Sequence, residues 1–538
     1  MSIKYSKYPM LFLASIFLLL AFGCNKKLDT ASSSVVAATN MWQTYDDARN
    51  GLVGLYGLSR AALADNNAHW MYGDLRKGDF VATSSGNYLD AIIKNELNKG
   101  FPQIKELTNW RKFYAAIDAC NTFIENVERC KVDLRYSDMN AKVDVAQAHM
   151  LRSFLYFYMV RIWGDVPLIT KASKNGATVQ VARTPQDQVL DFCINELKQY
   201  KDSLPTEYGG DDRSKLNYDG SYYGQSWTNW GNSFWGYYQC LGILAHIYAW
   251  TGDYNSVLAI TTEINSNAAA ARTGLISYAN SRAYLGGRNS IFYSNGVKGS
   301  LCYQMIAFPY NMNNRESGPS GIGHIESLTL ASPYVVRAKP DIYIPRDTIA
   351  RWFHYVGDVR HPYQSEFGNY EEVYFSNYYG NIPIFSKFKN IATGSSSFPI
   401  FGSAIPIFRF EDNMLLMAEA YYALGNMRSA FDWLNAVRLP RNSPGFFYGG
   451  ASQTRPGYTL QPTEASMEGG ILYNIFRERR VELAGEGSWW YDQVRYNRLA
   501  RNNPDFNKLL DEGGIYWPID QDIITKNPLI EQNSYWKR

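Results

Sequence analysis

The residues Val145 to Leu168 constrain the fold more than any other stretch of the chain. Ala148, Leu151, Leu155, Tyr158 and Ile162 recur at steps of three or four, the spacing of one helical stripe. Phe154, Phe157 and Met159 fill the other sides, so the second half of this helix is apolar nearly all round. Such a helix is stable only between neighbours, because no face is left for water. Gly164 is able to take the left-handed conformation that stops a helix, and Pro167 prevents a restart. The pattern predicts the core helix of a mainly α protein.

The amino terminus reads differently. Lys4 and Lys7 precede an apolar run from Leu11 to Phe22, too short to span a bilayer and of signal-peptide size. Small residues at Ala21 and Gly23 before Cys24 look like a lipobox, which implies that Cys24 is acylated and becomes the new terminus. Buried acyl chains contribute about 0.8 kcal/mol per CH2, so several of them anchor firmly. Residues 25 to 40 are rich in Ser, Ala and Thr and suit a tether. Removing Lys4 and Lys7 from 53 basic residues against 50 acidic ones leaves a net charge of +1. That balance argues against nucleic acid as a partner, since its phosphates demand concentrated positive charge.

Beyond Cys24, cysteines stand at 120, 130, 193, 240 and 302, without C-x-x-C spacing or a nearby zinc-spaced His. They lie mostly in apolar helical stretches and are expected to be buried thiols; a Cys120–Cys130 bridge is left open.

Further helices follow from capping and periodicity. Thr44-x-x-Asp47 opens one to about Arg60, Leu107 to Val127 forms another, and Thr184-Pro185 caps a third to Tyr200. A repeat then appears: Ala245-x-x-Tyr248-x-x-x-Gly252-x-x-x-x-Val257 matches Ala418-x-x-Tyr421-x-x-x-Gly425-x-x-x-x-Ala430. Each copy ends one helix at a Gly and starts the next, as tetratricopeptide-like pairs do. Between the copies, residues 281 to 403 are dense in Gly, Asn, Ser, Tyr and Pro, with short strand-like runs at Ser300–Phe308 and Val373–Asn377. So long a stretch with little periodicity is usually functional or disordered, and its aromatic content argues against disorder.

Several phrases are more specific than their periodicity. They include W-x-x-x-Y-x-x-I-x-x-x-N-x-F-I from Trp110, the helix around Leu151, and Ile405-Pro406-Ile407-Phe408-Arg409-Phe410-Glu411-Asp412. Towards the end come Glu478-Arg479-x-x-Glu482-Leu483-x-x-Glu486-Gly487, Trp490-x-Asp492-x-x-Arg495, Tyr516-Trp517-Pro518-Ile519 and Asn527-Pro528. With the lipobox they resemble, in order, the SusD/RagB family of nutrient-binding outer-membrane lipoproteins. The resemblance implies a non-enzymatic surface protein that holds oligosaccharide for a TonB-dependent, SusC-like transporter, or peptide in the same architecture. The expected fold is mainly α, an irregular tetratricopeptide-like helical-pair platform with a large loop-rich ligand-binding insertion. The expected division is a signal peptide over 1–23, a tether over 24–40, a helical region with ligand loops over 41–280, the insertion over 281–403 and a carboxyl-terminal helical region over 404–538.

No H-E-x-x-H, G-x-S-x-G or G-x-x-x-x-G-K-[ST] occurs, and no cofactor or metal is implied. Glu478, Glu482 and Glu486, at steps of four, have the spacing from which a glycosidase pair is built. The arginines at 477, 479, 480 and 495 are expected to hold them as ion pairs instead, which suits structure and not acid catalysis. Arg409, Glu411 and Glu419 are read as a buried ion network, and His149 and His246 as satisfied core histidines. Binding is better supplied. Sugars need flat aromatic faces for their C–H surfaces and Asn, Asp, Arg or Gln for their hydroxyls. Candidates are Trp70, Tyr72 and Asp74 with Tyr88; Tyr310, Asn314 and Arg315; and Trp352 with its neighbours. Trp227 and Trp230 form a fourth cluster. The resemblance favours the early loop and the mid-chain insertion.

Overall fold

The computed structural model describes residues 41–173, 180–208, 221–225, 230, 233–271, 273–276, 285, 290–292, 304–311, 316, 323–353, 358–361, 363–364, 370–371, 373–392, 399–441 and 469–537. The central helix runs Asp138–Trp163. Ser137 caps it by accepting the Asn140 N–H at 3.1 Å, and Gly164 ends it at φ +74°. Ala148, Leu151, Phe154, Leu155, Phe157, Tyr158, Met159 and Ile162 are all buried. Several polar groups inside it find partners: His149 and Arg152 both bond Glu196, and Tyr136, Tyr222 and Tyr223 all donate to Asp144.

Around this helix the chain builds one continuous stack. Tyr45–Ala64, started by a Thr44/Asp47 capping box, packs on Arg111–Asn126, which packs on the central helix. Gln186–Tyr200, Tyr237–Thr251 and Tyr254–Ser266 follow. Helix Tyr254–Ser266 then packs directly on Phe410–Ala423, so the two repeat copies, far apart in sequence, are spatial neighbours. Met427–Arg438, Gly470–Glu482 and Trp489–Ala500 complete the stack. The architecture is mainly helical and tetratricopeptide-like, with short two-stranded ladders.

The repeat is longer than the helical pattern alone suggests. Gly252 and Gly425 take φ +85° and +80°, and the Asp253 and Asn426 N–H groups then donate back to the carbonyls of Tyr248 and Tyr421. Asp253 and Asn426 next cap the following helices through Ser256 N and Ser429 N. Ala245 and Ala418 are fully buried where helices approach.

The stretch between the copies is tied to the platform by strands and side chains. Gln304–Phe308 pairs antiparallel with Ile405–Arg409, Ile405 opposite Phe308 and Arg409 opposite Gln304. Val81–Ala82 pairs with Ile342–Tyr343. Asn66 and Asn67 both adopt left-handed backbone, and Asn67 Oδ1 accepts the N–H groups of Gly323 (2.9 Å) and His324 (3.2 Å). Cys120, Cys130, Cys193 and Cys240 are free and buried, so no Cys120–Cys130 bridge forms. Burial pushes the Cys120 thiol up to about 12. Cys24 and Cys302 lie outside the described residues.

Candidate ligand recess

The early aromatic cluster faces inward, which corrects the expectation from sequence. Trp70, Tyr72 and Asp74 are only 1–3% exposed. Trp70 Nε1 donates to Gly485 O (2.9 Å), Tyr72 Oη to Leu107 O (2.7 Å), and Asp74 Oδ2 accepts the Gly487 N–H (2.6 Å). Trp70 and Asp74 anchor the first third of the chain to the E-x-x-E-G turn near its end, while Tyr72 bonds within that first third. Gly73 permits this, since a Cβ there would lie 2.0 Å from Gly487 O. Burial pushes the Asp74 carboxyl up to about 7, against the Gly487 N–H, which favours its ionised form.

The remaining candidates divide. Tyr88 begins the short helix Tyr88–Ile93 and is half-buried against the core. Tyr310 is buried beneath the Arg60 guanidinium, 4.4 Å from its ring centre, and is no free platform. Asn314, Arg315 and Trp227 lie outside the described residues. Trp230 stacks on Phe234 at 4.6 Å and donates Nε1 to Tyr222 O, so it packs on its own scaffold. Trp352 is largely buried, 7% exposed, its Nε1 donating to Asp79 Oδ2 at 3.0 Å.

Trp352 also lines a surface recess of about 190 Å³, which brings three parts of the chain together. Thr348, Arg351 and Trp352 come from the insertion; Tyr473, Phe476, Arg477 and Arg480 from helix Gly470–Glu482; Trp489, Gln493 and Tyr496 from the next helix. Asp79, from the early loop, holds the floor by accepting Trp352 Nε1 and pairing with Arg480. The Arg480 guanidinium lies over the Trp489 indole at 4.0 Å, and Trp489 Nε1 donates to Lys77 O. Burial lowers Arg480 to about 10, which leaves it a cation at neutral pH. Tyr473 is 44% exposed.

This surface offers flat faces and hydrogen-bonding side chains, and no carboxylate or imidazole among its lining residues. The missed residues carried a legible signal: Trp489, Gln493 and Tyr496 stand at steps of four and three, one face of a helix. The neighbouring Trp490, Asp492 and Arg495 face inward.

The glutamates are structural, and their partners differ from those their own helix supplies. Glu482 is fully buried and pairs with Arg360 (2.7 Å), Arg409 (3.1 Å) and Arg441 (2.9 Å), none of them on its helix. Burial alone would raise Glu482, but these three guanidiniums together hold it well below the usual carboxylate range. Glu486 lies beyond the helix end and accepts from Lys387 and Arg409. Of the interleaved arginines, Arg479 pairs with Asp412 and Asp492, Arg480 with Asp79, and Arg495 with Glu419 and Asp492. Arg477 donates to the Trp352 carbonyl. Arg409 and Glu411 share the Glu482 network, whereas Glu419 belongs to Arg495. His149 and His246 are satisfied by Glu196 and Asp412. Among the described residues no group of three or more His, Cys, Asp or Glu is placed to hold a metal, and no helix is long and apolar enough to cross a membrane.

Fold and surface together define a mainly helical protein of tetratricopeptide-like pairs, bearing an aromatic recess. Residues 49–218 match a family model described as "Starch-binding associating with outer membrane", and residues 368–536 match that of the SusD family. A SusD superfamily protein of known structure from Bacteroides thetaiotaomicron is 38% identical, with a TM-score of 0.79 over 92% of this chain and 99% of that one. SusD-like protein P38 of Formosa agariphila is 24% identical across 98% of this chain and 99% of its own length. B. fragilis NanU, 18% identical, shares the fold with a TM-score of 0.64 over 94% of this chain and 100% of its own. The chain belongs to the SusD family.

Proposed function

We propose that this protein is a non-enzymatic surface lipoprotein, anchored through Cys24, that binds oligosaccharide and delivers it to a TonB-dependent, SusC-like transporter in the outer membrane. The observation that carries the reading is the recess under Trp352, Trp489 and Tyr473. Its aromatic faces suit the C–H surfaces of sugar rings, and Gln493, Arg351 and Arg477 stand beside them for hydroxyls. The early loop, the insertion and the last helices all contribute to it, so it is a feature of the assembled fold. Tethering at a membrane raises local ligand concentration without requiring tight binding. The family description, which names starch and the outer membrane, supports this reading.

Hydrolysis by the glutamates is disfavoured because Glu482 is fully buried and held ionised, the opposite of what a general acid requires. A glycan and peptide array probed with the soluble chain begun after Cys24 tests the proposal. Glycan binding that is lost in Trp489→Ala is the expected result. Binding confined to peptides, or turnover of a polysaccharide by the purified protein, overturns it. Partition into detergent when made in its native cell, lost in Cys24→Ser, tests the anchor. Co-purification with an outer-membrane transporter tests the partner.

A further inference from the structure

A second, larger cleft of about 600 Å³ lies on another part of the platform, between helix Arg111–Asn126, the segment 167–173 and residues 522–530. Its volume is within the usual range of ligand sites. The cleft is built before any ligand arrives. Tyr114 Oη donates to Pro167 O (2.6 Å), and Asn121 Nδ2 to the carbonyls of Ile169 and Lys171 (3.1 Å each). Arg152 in turn donates to Asn121 Oδ1 at 2.6 Å. One wall is therefore fixed to the central helix by side chains that are already committed.

Cations outnumber carboxylates among the side chains that line this cleft: Arg111, Lys171 and Lys526 stand against Asp118 and Asp522. Asp118 is occupied by Ser173, whose N and Oγ both donate to it (2.7 and 2.8 Å). Asp522 is paired with Lys105 at 2.9 Å, and Arg111 with Glu106 at 2.8 Å. Lys526 lies within the field of Asp522 but is the weaker influence on it, after Lys105. Neither Lys171 nor Lys526 has a carboxylate within ion-pairing distance among the described residues. Trp110, Tyr114, Ile169 and Ile530 line the same cleft.

We infer that this cleft is a second binding site, taking a saccharide that carries a carboxylate, with Lys171 and Lys526 as the counter-charges. Its apolar wall receives the sugar ring and the two ammonium groups receive the acid. A neutral sugar would leave both lysines unanswered. This inference stands apart from the Trp489 recess and does not depend on it.

Calorimetric titration of the full-length chain in detergent tests it. The probes are tetramers of galacturonate, glucuronate and mannuronate, each beside its fully methyl-esterified counterpart. At least one uronate is expected to bind in preference to its ester, and more weakly as salt rises. Lys171→Gln and Lys526→Gln are each expected to weaken that binding by about tenfold, the worth of one charged hydrogen bond. Lys99→Gln, outside the cleft, should leave it unchanged. Both cleft lysines are at the surface, so thermal unfolding of each variant should match the parent and separate lost binding from lost fold. No preference for any uronate over its ester overturns the inference, and so does a preference that survives both cleft substitutions.

Discussion

Trp352 Nε1 and Arg480 meet on one carboxylate, that of Asp79. Through it the early loop holds a tryptophan of the insertion and a cation of a helix near the end of the chain. The floor of the recess is thus fixed by a residue that is not among those lining it.

Asp79→Ala should accordingly disturb the recess without touching it. The Trp352 N–H and the Arg480 guanidinium would lose their shared acceptor, at a cost of roughly 1–3 kcal/mol. Urea denaturation should show the loss of stability, and titration with a glycan identified on the array should show weaker binding.

Trp489→Ala removes the face over which Arg480 lies. Truncating a central aromatic of a binding surface typically costs about 2 kcal/mol or more, roughly 30-fold in affinity. The indole is half-buried at the surface, so the thermal midpoint should move little while affinity falls. The ratio of the two effects, read by calorimetry and by circular dichroism, is the check.

Glu482→Gln removes one negative charge from among Arg360, Arg409 and Arg441, all buried. Leaving buried cations uncompensated costs roughly 3–5 kcal/mol. The variant should lose most of its resistance to urea, whereas Arg428→Gln, whose partner Asp432 is exposed, should lose almost none. In the parent, the folded carboxyl titrates below its unfolded value. Its contribution is therefore present above the ordinary glutamate range and lost as pH falls towards the folded pKa.

Asp74 behaves with the opposite sign. Burial raises it to about 7 in the folded protein, from an unfolded value of 3.8. Its contribution is therefore full below about 4 and is lost as pH rises through about 7. Asp74→Asn keeps an acceptor for the Gly487 N–H and removes the titration. The thermal midpoint of the parent, measured relative to this variant, should fall steadily between pH 4 and pH 7.

Much of the platform was legible in the residues. The all-round apolar helix, the Thr44 cap and the two Gly-ended repeats announce themselves because they obey local rules of spacing and capping. The fate of Trp70, Tyr72 and Asp74 was not legible. Aromatics among Gly and Asp read alike whether they face water or wall, and their partners, Leu107, Gly485 and Gly487, lie elsewhere in the chain. The same holds for Glu482: its helix carries arginines at the right steps, yet the cations that neutralise it arrive from positions 360, 409 and 441. The recess was partly legible, since Trp352 stood out while Trp489, Gln493 and Tyr496 were overshadowed by the buried motif beside them.

Because helix Tyr254–Ser266 abuts Phe410–Ala423, the long excursion between them departs and returns at a single seam. Its wording is therefore free to be rewritten as a cassette while the scaffold beneath stays as it is. The freedom stops at its pins: the strands Gln304–Phe308 and Ile342–Tyr343 on their platform partners, Trp352 on Asp79, Gly323 and His324 in the grip of Asn67, and Arg360 and Lys387 driven into the charge cluster around Glu482. New specificities in chains of this kind should arise between those pins, and seldom at them.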